Sequence, residues 1–167
     1  FFVSSVLICI PLAFYYQNTN PFLVSTGMEN PTGKMTIGQM SEVAFMLLLP
    51  LFFKKYGFKM TILVGMLTWA IRYLLFAYGN ADNLAFMLYL GIALHGICYD
   101  FFFVSGQIYT DAKAGSAVKS AAQGLITLAT YGVGMLIGFW VAGMVVEAYP
   151  GDWQTIWMYP AAFAGII

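Results

Sequence analysis

Residues 84–109 read LAFMLYLGIALHGICYDFFFVSGQIY. A helix needs roughly 20 apolar residues to cross the hydrocarbon core of a bilayer, and this run is long enough to do so. Working outward, five further runs qualify or nearly qualify, at 1–20, 35–53, 58–78, 120–146 and 153–167. All six are expected to be helices. Lipid cannot satisfy an open backbone, and runs this continuously apolar do not alternate as barrel strands must. The expected fold is all-α, a polytopic membrane protein forming a single six-helix bundle over 1–167.

Composition agrees with that reading. Of 167 residues, 61% are hydrophobic and only 8% charged, against ~45–50% and ~25% in soluble globular domains. So little charge cannot cover a water-facing surface, which excludes a soluble enzyme and a disordered chain. Seven Lys+Arg balance seven Asp+Glu, leaving no basic footprint for nucleic acid. Cys9 and Cys98 are too few for a disulfide framework or a zinc site and read as small buried residues. No metal site and no cofactor motif is expected, and HExxH, GxSxG and P-loop patterns are lacking. The chain opens without Met, in mid-run at Phe1, and stops in mid-run at Ile167. It is therefore expected to be a piece of a longer polytopic chain.

Lysine placement gives a topology. Lys54, Lys55 and Lys59 lie between the second and third runs, and Lys113 and Lys119 between the fourth and fifth. With alternating helices both loops fall on one face, expected to be cytoplasmic. Asn80-Ala81-Asp82 and Tyr149-Pro150-Gly151-Asp152-Trp153 fall opposite, and only Lys34 breaks the pattern. Pro21–Gly33, rich in Pro, Gly, Ser and Thr, reads as a loop. Gln17, Asn18, Thr19 and Asn20 either begin that loop or form a polar stretch in a helix continuing through Phe22-Leu23-Val24. Trp153 and Trp157 read as interfacial anchors, and Gly134 and Gly138 as a small-xxx-small contact for close helix approach.

Ionisable residues inside spans are costly and face a cavity or a partner. Here they are Glu42, Arg72, His95 and Asp100. Glu42 lies about eight residues into its run and Asp100 about sixteen into a longer one, both near mid-membrane at ~1.5 Å per residue. Gln39 and Glu42, three apart, share a stripe. His95, Tyr99 and Phe102/Phe103 line another, which overlaps one formed by Gly96, Asp100, Phe103 and Gln107. Aromatic faces, an amide and an acid that changes protonation suit a flat polar heterocycle or a sugar. The competing reading is structural: Arg72 forms an ion pair with Glu42 or Asp100, and His95 is a hydrogen-bonded core residue.

Several phrases carry a family likeness: Gly38-Gln39-Met40-Ser41-Glu42, Tyr56-Gly57-Phe58-Lys59, Trp69 through Gly79, Tyr99-Asp100-Phe101-Phe102, Ser105-Gly106, Ala122-Gln123-Gly124, and Val146-Glu147 followed by Asp152-Trp153-Gln154-Thr155. In this order they resemble the second six-helix half of the nucleoside:proton symporter family, within the major facilitator superfamily. The resemblance covers about nine tenths of the chain.

It implies a carrier in the cytoplasmic (inner) membrane whose two halves close around a nucleoside at mid-membrane, driven by protons. The implied partners are the nucleoside, protons, the lipid bilayer and an N-terminal six-helix half. Gln17 and Asn20 match the family's Gln-x-x-Asn, which favours an embedded Gln17–Asn20. Gln39 and Glu42 match the next helix's motif, Tyr99 stands where an aromatic packs on substrate, and Asp100 matches the motif's acid. His95 departs from the family's aromatic, and Phe103 replaces a polar residue and is not assigned as a ligand. The expected substrate-binding set is Gln17, Asn20, Gln39, Glu42, His95, Tyr99 and Asp100, with Glu42 and Asp100 carrying the coupled proton. The alternatives are a facilitative carrier for sugars or small glycosides, and a membrane scaffold without transport.

Overall fold

The computed structural model describes residues 1–167, and all of its regular structure is helical. Helix α1 runs Phe2–Leu7 and continues as Cys9–Ser25, the intervening Ile8 keeping right-handed φ/ψ. The helical stretch Pro31–Tyr78 contains one non-helical residue, Gly57, at φ 73° and ψ 174°. A side chain disfavours that φ, and glycine accepts it freely; it divides the stretch into α2 before and α3 after. Helices α4 (Ala85–Lys113), α5 (Lys119–Ala148) and α6 (Trp153–Ile166) complete the bundle. The α2–α3 stretch, α4 and α5 are each long and apolar enough to cross a membrane.

The loop expected at Pro21–Gly33 shrinks to the residues between Ser25 and Pro31. Pro21 lies inside α1 rather than ending it. Membrane helices tolerate proline where other groups re-satisfy the backbone. Here the last turns are held from outside, because Phe22 packs on Phe76, Trp153 and Trp157 at 5.4–5.9 Å between ring centroids. The terminal carbonyls of Phe22 and Leu23 accept from the Ser25 and Thr26 hydroxyls at 2.7 and 2.8 Å. Gln17–Asn20 is therefore helical throughout.

Three close approaches fix the packing. On α5, a Cβ at Gly134 or Gly138 would sit 2.8 Å from Cys9 Cβ or 2.6 Å from Ala13 Cβ, so the small-xxx-small pair does seat α1. A Cβ at Gly65 of α3 would meet the Phe101 backbone of α4 at 3.0 Å. At Gly96 of α4 it would meet the Ser41 carbonyl carbon of α2 at 2.5 Å. Helix α6 docks on α3 through Trp157, stacked on Tyr73 and tilted against Phe76. Trp157 is fully buried, so it is a core residue; only Trp153 of the expected anchor pair keeps partial exposure.

Two π-helical turns interrupt the long helices, Asp100–Val104 in α4 and Leu128–Gly134 in α5. Such bulges widen the turn and re-aim side chains. They bring Tyr131 of α5 against Phe103 of α4, with ring centroids 5.9 Å apart.

Candidate functional site

The Ser41–Gly96 contact decides what α2 shows to α4. The Gly96 N–H donates to Ser41 Oγ at 3.0 Å, and Ser41 Oγ donates to the Gly38 carbonyl at 2.6 Å. With the backbones this close, the next residue of α2, Glu42, reaches the residue before Gly96. Glu42 Oε1 lies 2.8 Å from His95 Nε2.

The other His95 nitrogen is also occupied. His95 Nδ1 lies 2.8 Å from Arg72 Nη1, and Arg72 Nε donates to the Gly91 carbonyl at 2.7 Å. The guanidinium carbon sits 3.6 Å from the Tyr15 ring centroid, and Tyr15 stacks on the His95 ring at 4.7 Å. Cation, phenol and imidazole thus form one packed column between α1, α3 and α4. Arg72 makes no contact with a carboxylate; the expected ion pair is replaced by a bridge through His95. Arg72 Nε and Nη1 are taken by the Gly91 carbonyl and His95 Nδ1, and Nη2 is buried without a hydrogen-bond partner.

Placement of the other expected residues divides them. Gln17, Gln39, Glu42 and Tyr99 keep accessible surface. Asn20 also does, though its Nδ2 donates to Thr32 Oγ1 at 2.8 Å, tying α1 to the start of α2. Asp100 is fully buried, and neither carboxyl oxygen has a hydrogen-bond partner. Its backbone carbonyl accepts from Ser105 Oγ at 3.1 Å across the π turn. His95 is 1% exposed with both ring nitrogens taken by protein. In this structure His95 presents no free ring nitrogen, and Tyr15 covers one face of its ring.

Three tyrosines that sequence reasoning passed over belong to this region. Tyr131 shares a hydroxyl–hydroxyl hydrogen bond with Tyr99. Tyr16 is exposed and meets the His95 ring edge-on at 6.3 Å. Tyr15 lies beneath Arg72. A signal existed for Tyr16, which is four residues before Asn20 and so shares its helix face. Tyr131 had none, because its direction depends on the π turn.

Lys119 Nζ pairs with Asp111 Oδ2 at 2.9 Å between half-exposed side chains. Asp111 lies within the helical stretch Ser105–Lys113.

Comparison with known proteins adds three findings. The sequence family described as "Nucleoside H+ symporter" matches residues 1–167. The chain is 45% identical over 179 residues to the putative nucleoside transporter YegT of Escherichia coli (strain K12), covering 100% of this chain and 42% of that protein. It is 35% identical over 159 residues to the xanthosine permease of the same organism, covering 92% of this chain and 38% of the permease. Among solved structures it is similar to a crystal structure of a mutant of the nucleoside transporter NupG, with a TM-score of 0.90 at 30% identity. That match covers 99% of this chain and 45% of the other. The chain thus spans less than half the length of these relatives.

Proposed function

Since this chain belongs to the nucleoside H+ symporter family, we propose that it is the C-terminal half of a carrier that imports nucleosides together with protons. Its fold, an all-α multi-pass membrane bundle, is a six-helix half of a major facilitator superfamily transporter. The helices run approximately as the six apolar runs do, and an N-terminal half supplies the facing wall. The two halves rock about the site to alternate access, in the cytoplasmic membrane with the lysine-bearing loops inside. The protein is not an enzyme: the site's chemistry is binding and protonation.

The observation that carries this reading is that Gln17, Gln39, Glu42 and Tyr99, polar residues part-way along apolar helices, keep accessible surface. Amides offer paired donors and acceptors for a nucleobase or ribose edge. The Tyr99 ring offers a stacking face, and Asn20 joins the set by releasing Thr32. Glu42 binds hydroxyl or base groups and shares the proton-carrying role with Asp100. Asp100, an intramembrane carboxyl without a partner, fits a proton carrier.

Binding of uridine to the full-length protein, competed by free ribose and by free uracil, tests the reading. A nucleoside site built from both base and ribose contacts is expected to resist either fragment alone. Displacement of uridine by ribose alone would favour a sugar carrier instead.

A further inference from the structure

The geometry points to a positioning device in which Arg72, through His95, fixes the Glu42 carboxyl so that its proton is exchanged only at Oε2. This deepens the reading above and rests on it. A guanidinium has five N–H donors and no acceptor. His95 Nδ1, 2.8 Å from Arg72 Nη1, therefore accepts. An imidazole that accepts at Nδ1 carries its hydrogen on Nε2, and that N–H donates to Glu42 Oε1 at 2.8 Å. Tyr15 clamps the arrangement by stacking on both the guanidinium and the imidazole.

The consequence falls on Glu42. Its Oε1 is an acceptor in both protonation states, because a carboxylate and the carbonyl oxygen of a carboxylic acid both accept. Oε2 has no protein partner, and the side chain is 25% exposed. When hydronium from the aqueous side gives up a proton, water leaves and the O–H forms at Oε2, turned toward the site. Oε2 then donates to substrate; after release it accepts. His95 does not store that proton. A hydrogen at Nδ1 would face the Arg72 N–H and break the bond to it.

Every titratable group around His95 is consistent with this assignment. Tyr15 and Tyr16 face it from α1, Glu42 from α2 and Arg72 from α3, with Tyr99 one turn along α4. Asp100 lies five residues beyond His95 along α4, with both carboxyl oxygens unpartnered. None of them but Glu42 reaches Nε2, and none but Arg72 reaches Nδ1.

The test uses full-length protein carrying His95→Phe, which keeps a packed ring without nitrogens, and His95→Gln, whose amide offers an acceptor and a donor in one plane. His95→Phe is expected to raise the KM for uridine roughly 10-fold or more, the scale of one charge-assisted hydrogen bond. It also moves the pH profile of uptake. His95→Gln is expected to restore most of that loss and the wild-type profile, although it cannot titrate. In a Glu42→Gln background, His95→Phe should add little. Equal losses in the Phe and Gln variants, or additive effects with Glu42→Gln, would overturn the device. A measurement independent of transport is nitrogen NMR of histidine-labelled protein, with His95→Gln identifying the signal. The neutral Nε2–H tautomer is expected at pH 7; an Nδ1–H tautomer or an imidazolium overturns the assignment even if His95→Phe fails to fold. Absence of uridine uptake by the wild type would instead contradict the nucleoside reading, leaving the tautomer result to stand or fall by itself.

Discussion

Gly96 of α4 donates its backbone N–H to Ser41 Oγ of α2 at 3.0 Å, and no Cβ fits between the two helices. Gly96→Ala is expected to destabilise the protein by about 1–3 kcal/mol, the usual cost of overpacking a rigid contact. The displacement also moves Glu42 relative to His95. Thermal melting of the full-length variant, with and without uridine, checks both: a lower Tm and a smaller ligand-induced rise are expected. An unchanged Tm would mean that the helices separate without cost.

The Tyr99–Tyr131 hydroxyl pair joins the two π-turn regions. Tyr131→Phe removes the bond but no packing, so a loss of about 0.5–1.5 kcal/mol is expected, the net worth of one hydrogen bond. Tyr99→Phe should cost the same and keep uridine binding, because the ring still stacks. Tyr99→Ala should weaken binding well beyond either. Isothermal titration of the three variants separates stacking from hydroxyl chemistry.

Asp100 has no partner to lose. Asp100→Asn is nearly isosteric and is expected to leave Tm unchanged or raised, since it replaces a buried acid by a neutral amide. Concentrative uptake should nevertheless disappear. A scaffold built on Asp100 would show the reverse, with assembly lost. Melting and uptake measured on the same preparation distinguish the two.

Outside the membrane spans, Asp152 caps α6 by accepting from the Thr155 N–H at 3.1 Å. Hydrogen bonds from the Thr155 side chain and backbone hold its carboxyl below the ordinary carboxylate range. A carboxyl depressed in the folded state contributes stability above its unfolded pKa of about 3.9, and loses it as pH falls through the folded value. Asp152→Asn keeps a capping oxygen and should flatten that acid limb. Melting curves between pH 6 and pH 3 for wild type and variant are expected to diverge only at the acid end.

Much of the architecture is written in the apolar runs, because length and continuity suffice to specify a membrane helix. The end of α1 was harder. Pro21 and the polar Gln17–Asn20 argue locally for a loop, and only Phe22 packing on Phe76, Trp153 and Trp157 outweighs them. Trp157 misled for the same reason, since an interfacial anchor and a core residue look alike until a neighbour covers one. Within the candidate site, the shared helix face of Gln39 and Glu42 was legible from their spacing. The roles of Arg72 and His95 were not. Whether an arginine reaches a carboxylate or an imidazole depends on a few ångströms set by Gly96 and Tyr15, and residue types do not encode that distance. Tyr131 was hidden because a π turn redirects it, and helical periodicity assumes the turn is regular.

The most direct measurement is uptake of labelled uridine by cells expressing the full-length protein, with and without a protonophore. Proton-coupled carriage predicts accumulation that collapses when the proton gradient is dissipated. Uptake that persists undiminished would contradict proton coupling and leave Glu42 and Asp100 as binding or structural groups.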